Sequence, residues 1–126
     1  MKLLNQLHKA LFYKSTAKES YIFTSQDKEY QTLVRSIAEK YGLKIMHSGK
    51  KTFKLLFPGS TFIGNSQFES FLCANTYIKL KYDEEKIDIT SFETLISWSS
   101  EERKIFDKVI HIKLNQFLSF LQTEVN

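Results

Sequence analysis

The chain predicts an α+β fold: a single domain over 1–126, with an antiparallel sheet of two hairpins at about 43–57 and 77–90, helices on one face, and a long C-terminal helix. Three observations carry this. Apolar residues recur at helical spacing before Gly42, alternate with polar ones through both hairpin segments, and return to helical spacing over a last stretch of about 22 residues, roughly 33 Å of helix.

Leu3, Leu4, Leu7 and Leu11 share one face, which predicts an amphipathic first helix to about Tyr13. Lys14 to Ser20 reads as a polar connector, Tyr21 to Thr24 as a short β-favouring run, and Ser25 as an N-cap. The helix that follows places Tyr30, Leu33, Val34, Ile37, Ala38 and Tyr41 along one stripe, and Gly42 stands where a left-handed C-cap belongs.

Beyond Gly42 the period falls to two. Leu43 and Ile45 alternate with Lys44 and Met46, the Ser48-Gly49-Lys50-Lys51 segment turns the chain, and Phe53, Leu55 and Phe57 alternate with Thr52 and Lys54 until Pro58-Gly59 stops the strand. Ser66 with Glu69 has capping-box spacing, predicting a short helix to about Ala74. The second hairpin sets Ile78, Leu80, Tyr82, Ile87 and Ile89 on one side of a turn at Asp83 to Lys86. Thr90 with Glu93, and Ser99 with Glu102, repeat the capping pattern, the first before an apolar stretch ending at Trp98 and the second before the last helix, to about Gln122.

Composition agrees with a folded globule. Of 126 residues 42% are apolar and 25% charged, with eleven Phe, six Tyr and one Trp, enough to bury a core without metal or disulfide staples. The lone Cys73 excludes an internal disulfide and a cysteine-built zinc site, and Met1-Lys2-Leu3-Leu4 is too short and polar to open a signal peptide. A cytoplasmic protein is expected. The longest uncharged stretch, Leu55 to Phe68, holds Pro58, Gly59 and Gly64, so no membrane span is predicted.

The net charge of +4 is uneven: residues 1–60 hold eleven Lys/Arg against four Asp/Glu, and 61–126 hold seven against ten. Folding the two alternations into one sheet regroups it. Lys44, Met46, Thr52, Lys54, Tyr77, Lys79, Lys81, Asp88 and Thr90 fall on the face away from the helices, four lysines against one acid. Closely spaced ammonium groups release condensed counterions on meeting phosphates, and Tyr77 adds a stacking surface, so Lys44, Lys54, Lys79, Lys81 and Tyr77, with Lys50 and Lys51 at the turn, are the candidate nucleic-acid contacts. The competing explanation is that lysines on a solvated face keep the sheet soluble and discourage edge pairing. Arginine, the bidentate reader of bases, occurs only as Arg35 and Arg103, which predicts weak sequence specificity.

No catalytic motif is present. His47, beside Ser48 and Lys50 at a strand end, is the one histidine where a lysine stands ready to stabilise an anionic transition state in phosphodiester cleavage. A helix followed by a histidine-bearing hairpin, over about 37–58, is loosely similar to the double-stranded-RNA-binding-like toxins of the HicA type, with His47-Ser48-Gly49 in place of that family's Gly-Ser-His order. A ribonuclease-type use of His47 is therefore the remote alternative, and a histidine in a surface turn the ordinary one. Cys73, between Leu72 and Ala74, reads as a small buried hydrophobe. Asp107 and His111, four apart on the last helix, make at most a side-chain pair, Glu84 and Lys86 supply turn charge, and nothing calls for a metal or cofactor.

The second function class is a protein-interaction module, such as an inhibitor, an immunity protein, a chaperone or an accessory subunit. Phe117 and Phe120 lie about 300° apart on a helix, with Leu118 on a further face, so Phe117, Leu118, Phe120 and Leu121 are the candidate strip for a protein partner or a second copy. A sheet with so many apolar residues also needs helix to cover it. The sequence reading is thus a small, non-enzymatic binding or regulatory domain, with nucleic acid placed ahead of a protein partner.

Overall fold

The computed structural model describes residues 12–57, 76–96 and 99–125. Their order is β1 (Phe12–Ile22), α1 (Asp27–Tyr41), β2 (Lys44–Ser48), β3 (Thr52–Phe57), β4 (Thr76–Asp83), β5 (Lys86–Ile96) and α2 (Ser100–Val125). The strands form one antiparallel sheet in the order β1-β5-β4-β3-β2. The α+β class, the two hairpins and the long last helix are as the periodicities predict. Of the predicted first helix, residues 1–11 lie outside the described residues and its expected end, Phe12 and Tyr13, belongs to β1; the predicted helix at 66–74, with Cys73, lies outside them as well.

α1 begins one residue beyond the predicted cap. Gln26 holds the N-cap position and makes no side-chain capping bond, so Asp27 and Glu29 in the first turn meet the helix dipole instead. Ser25 has another task, since its carbonyl accepts the Tyr82 hydroxyl. The other end is as predicted: Gly42 takes φ 72° and ψ 29°, and the Leu43 amide reaches back to the Ala38 carbonyl at 2.9 Å, closing a Schellman ending. α2 is capped by Ser99, whose hydroxyl accepts the amides of Glu101 at 3.1 Å and Glu102 at 3.4 Å.

Two sequence expectations fail at the β1–β5 pair. Lys14 to Ser20 is no connector: Phe12 to Ile22 is one eleven-residue strand, paired throughout with β5. Its inward residues include Tyr13, Ser15 and Ala17; Ser15 and Ala17 are too small or polar for a hydrophobic alternation to register, and Tyr13 and Ser15 are held by hydrogen bonds. Tyr13 Oη donates to Asp107 Oδ2 of α2 at 2.8 Å, and Ser15 Oγ donates to Asp107 Oδ1 at 2.5 Å. β5, likewise, does not yield to a helix cap at Thr90 but runs on to Ile96. Its inward Ser91 is buried and donates to the Ile110 carbonyl at 3.0 Å, so here too a serine occupies a place where an apolar residue would have signalled a strand.

Both helices cover one face. The core joins Phe53 and Leu55 of β3, Ile78, Leu80 and Tyr82 of β4, and Ile87 and Ile89 of β5 to Tyr30, Val34 and Ile37 of α1 and Ile110, Phe117 and Leu121 of α2. β4 alternates strictly between buried and more exposed positions. Full burial of each Leu, Ile or Val contributes about 1.5–3 kcal/mol, which is what locks the register. No helix among the described residues is long and apolar enough to cross a membrane.

Candidate nucleic-acid interface

The face turned away from the helices is fixed by the same register that builds the core. Reading cross-strand partners from β1 to β2 gives one row of Lys18, Thr90, Lys79, Lys54 and His47. Two residues along each interior strand lies a second row of Thr16, Phe92, Tyr77, Leu56 and Lys44. The first row is cationic and the second has aromatic rings at its centre. Phe92 and Tyr77 stack with centroids 5.5 Å apart and planes at 23°, and both are partly exposed.

Lys54 links the rows, its ammonium 4.6 Å from the Tyr77 centroid and 5.8 Å from that of Phe92, while Lys14 approaches Phe92 from the other side at 5.5 Å. Lys14, Thr16, Lys18, Lys79, Thr90 and Phe92 together line a shallow concavity of about 330 Å³. The open face therefore carries Lys14, Lys18, Lys44, Lys54, Lys79 and Lys81. Its acids within the paired strands are Asp88, which stands opposite Lys81 and accepts a hydrogen bond from Ser20 at 2.8 Å, and Asp83, which stands opposite Lys86 beside the turn. Among the described residues none of the six lysines has a carboxylate within ion-pair distance; the ion pairs are Lys40–Glu124 at 2.6 Å and Lys50–Asp27 at 3.7 Å.

The structure thus brings together Lys44, Lys54, Lys79, Lys81 and Tyr77 of the predicted set. It places Lys50 elsewhere, since its ammonium meets Asp27 in the first turn of α1 and its carbonyl accepts Gln31 Nε2 at 3.1 Å. Lys51 is exposed at the β2–β3 turn. Sequence reasoning missed Lys14, Lys18 and Phe92. The available signal was the spacing of Lys14, Thr16 and Lys18, a period of two with small residues between, and for Phe92 its even offset from Asp88 and Thr90.

His47 enters the cationic row through a bulge. The β2–β3 register slips between Ile45 and His47, which sets His47 opposite Lys54. Its side chain is exposed there. His111 Nδ1 contacts the Asp107 backbone carbonyl at 2.8 Å, not its carboxylate, which is engaged by β1. Among the described residues no cluster of three metal-ligating side chains occurs.

The predicted protein-interaction strip is largely used inside the fold. Phe117 and Leu121 are fully buried, and Phe120 stacks on Tyr41 at 3.8 Å and Phe57 at 5.9 Å, leaving Leu118 and Phe120 partly exposed. A groove of about 660 Å³ between the end of β1, α1 and the end of α2 is lined by Ile22, Leu33 and Val125 with Lys28 and Glu29, and has no concentration of one charge. No protein-family model and no curated protein sequence matches the chain.

Proposed function

We propose that this is a nucleic-acid-binding domain that contacts phosphates through the open face of its sheet. The observation that supports this reading is the pairing of Lys54 with Lys79 directly across β3 and β4. Like charges directly opposite one another destabilise a sheet, and neither strand is an edge, so protection against edge pairing accounts for Lys14, Lys18 and Lys44 but not for this pair. An external polyanion removes the repulsion that the fold carries. Arg35 and Arg103 sit on the helices, over Phe53 and Tyr13 respectively, so the face lacks the bidentate base readers and its binding is weakly sequence-specific. The protein-interaction alternative has less support, with Phe117 and Leu121 buried.

Fluorescence anisotropy against mixed-sequence oligonucleotides tests the proposal. Affinity should fall with a log–log salt slope of about −3 to −4 if about four lysines neutralise phosphates, and joint charge reversal at Lys18, Lys54 and Lys79 should abolish binding. Absence of binding at about 50 mM salt, or indifference to those reversals, removes the reading.

A further inference from the structure

The two rows of the open face differ in what they can receive. Neighbouring strands are about 4.8 Å apart, so the cationic row from β1 to β2 spans about 19 Å, and the aromatic row runs beside it at about 6.7 Å, two residues along the strands. A duplex meets such a surface with phosphates alone. Its bases are stacked inside, and its major groove admits a helix or a two-stranded ribbon, whereas both described helices of this fold lie on the opposite face. Against a duplex, Phe92 and Tyr77 would be covered by charged backbone and gain nothing.

A single strand offers both chemistries at once, phosphates on one side and unstacked bases on the other. Resting on the nucleic-acid reading above, we infer that the ligand is single-stranded nucleic acid lying across the strands, with its backbone along Lys18, Lys79 and Lys54 and its bases over Phe92 and Tyr77. Phe92 and Tyr77, stacked on one another in neighbouring strands and both partly exposed, put two aromatic rings beside that row, where bases can stack once Lys14 and Lys54 swing from the rings to the phosphates. The concavity beside Phe92 is lined by Lys14, Lys18 and Lys79 with Thr16 and Thr90, side chains suited to a phosphate attached to a stacked base. Lys54, resting over both rings, is within reach of either row.

The test uses fluorescein-labelled 12-nucleotide strands of mixed sequence, as DNA and as RNA, and the duplexes made from them. They are titrated with the full chain and with the double variant Tyr77→Leu/Phe92→Leu. Leucine keeps an apolar side chain on the strand, and circular dichroism with a thermal melt verifies the fold of the variant. Single strands of at least one sugar type should bind at least about tenfold more tightly than the duplexes. The leucine variant should lose about 10- to 100-fold on single strands, the range set by the stacking of one or two bases, and under about twofold on duplexes. Duplex binding as tight as single-strand binding, or single-strand affinity unchanged in a folded leucine variant, overturns the inference and leaves the phosphate-binding reading standing. Failure to bind any of the probes overturns both.

Discussion

The two faces of this sheet are built from alternate residues of the same strands, and they spend those residues in opposite ways. Toward the helices, Ile78, Leu80, Ile87 and Ile89 are fully buried and lower the free energy of the fold. Away from them, Lys79, Lys54 and Lys18 have no ion-pair partner among the described residues, Lys81 stands opposite Asp88, and like charges placed as Lys54 and Lys79 are oppose pairing of their strands. Such a difference separates the residues that stabilise the fold from those that do not, and the proposed phosphate contacts all belong to the second set.

The sharpest way to break the comparison is to truncate adjacent residues that point to opposite faces. Leu80→Ala should lose about 2–5 kcal/mol in urea unfolding, from lost transfer energy and the cavity left behind. Lys79→Ala should stay within about 0.5 kcal/mol of the parent, or gain slightly as its repulsion with Lys54 is relieved. Comparable losses in the two variants would erase the distinction between the faces.

A middle-sized effect is expected where the covered face is held by polar groups. Asp107→Ala takes the acceptor from both Tyr13 and Ser15, part-buried donors on β1, and should cost about 1–3 kcal/mol. Hydrogen exchange should then quicken in β1 before β4. Uniform exchange across the sheet would mean that β1 is held by its β5 pairing alone.

The smallest effect concerns Tyr30, whose hydroxyl is buried and has no hydrogen-bond partner among the described residues, although its ring stacks on Tyr82 at 4.8 Å. Tyr30→Phe should raise stability by about 1 kcal/mol near neutral pH. Burial holds the Tyr30 phenol above its ordinary pKa of 10.0, and Tyr13 is raised as well, first by its hydrogen bond to Asp107 and then by burial. With the folded pKa above the unfolded one, the protonated phenol is favoured by folding. That stability is intact below pH 10 and is lost as pH rises through the folded values, so Tyr30→Phe should also soften alkaline unfolding. A destabilised phenylalanine variant would contradict this account of the buried hydroxyl.

The part of the fold that was legible in the sequence is the part whose inward residues are large and apolar. α1 ended at Gly42 as its spacing required, and β3, β4 and the first half of β5 alternated openly. β1 was hidden because Ser15 and Ala17 face inward, and the end of β5 because Ser91 does; their burial is made tolerable by Asp107 and the Ile110 carbonyl, groups more than ten residues away. The open face was legible for Lys44, Lys54, Tyr77, Lys79 and Lys81, and incomplete without β1, since Lys14 and Lys18 join it only once that strand is paired. The acceptable left-handed residue at a turn was no guide either, because Glu84 and Glu85, at φ 47° and 67°, close the β4–β5 turn without the glycine or asparagine such a turn favours.

Sequence by itself determined the class of fold, the faces of β3 and β4, the ending of α1, the capping of α2 by Ser99, and a surplus of lysine on one side of the hairpins. These follow from periodicities of two and 3.6 and from local capping chemistry, which act between near neighbours. Tertiary structure alone decided that β1 joins β5, that a bulge turns His47 toward Lys54, and that Phe92 stacks on Tyr77 beside a cationic row. Those are matters of register between distant segments, and register is chosen by the sum of packing and hydrogen bonds across the whole sheet.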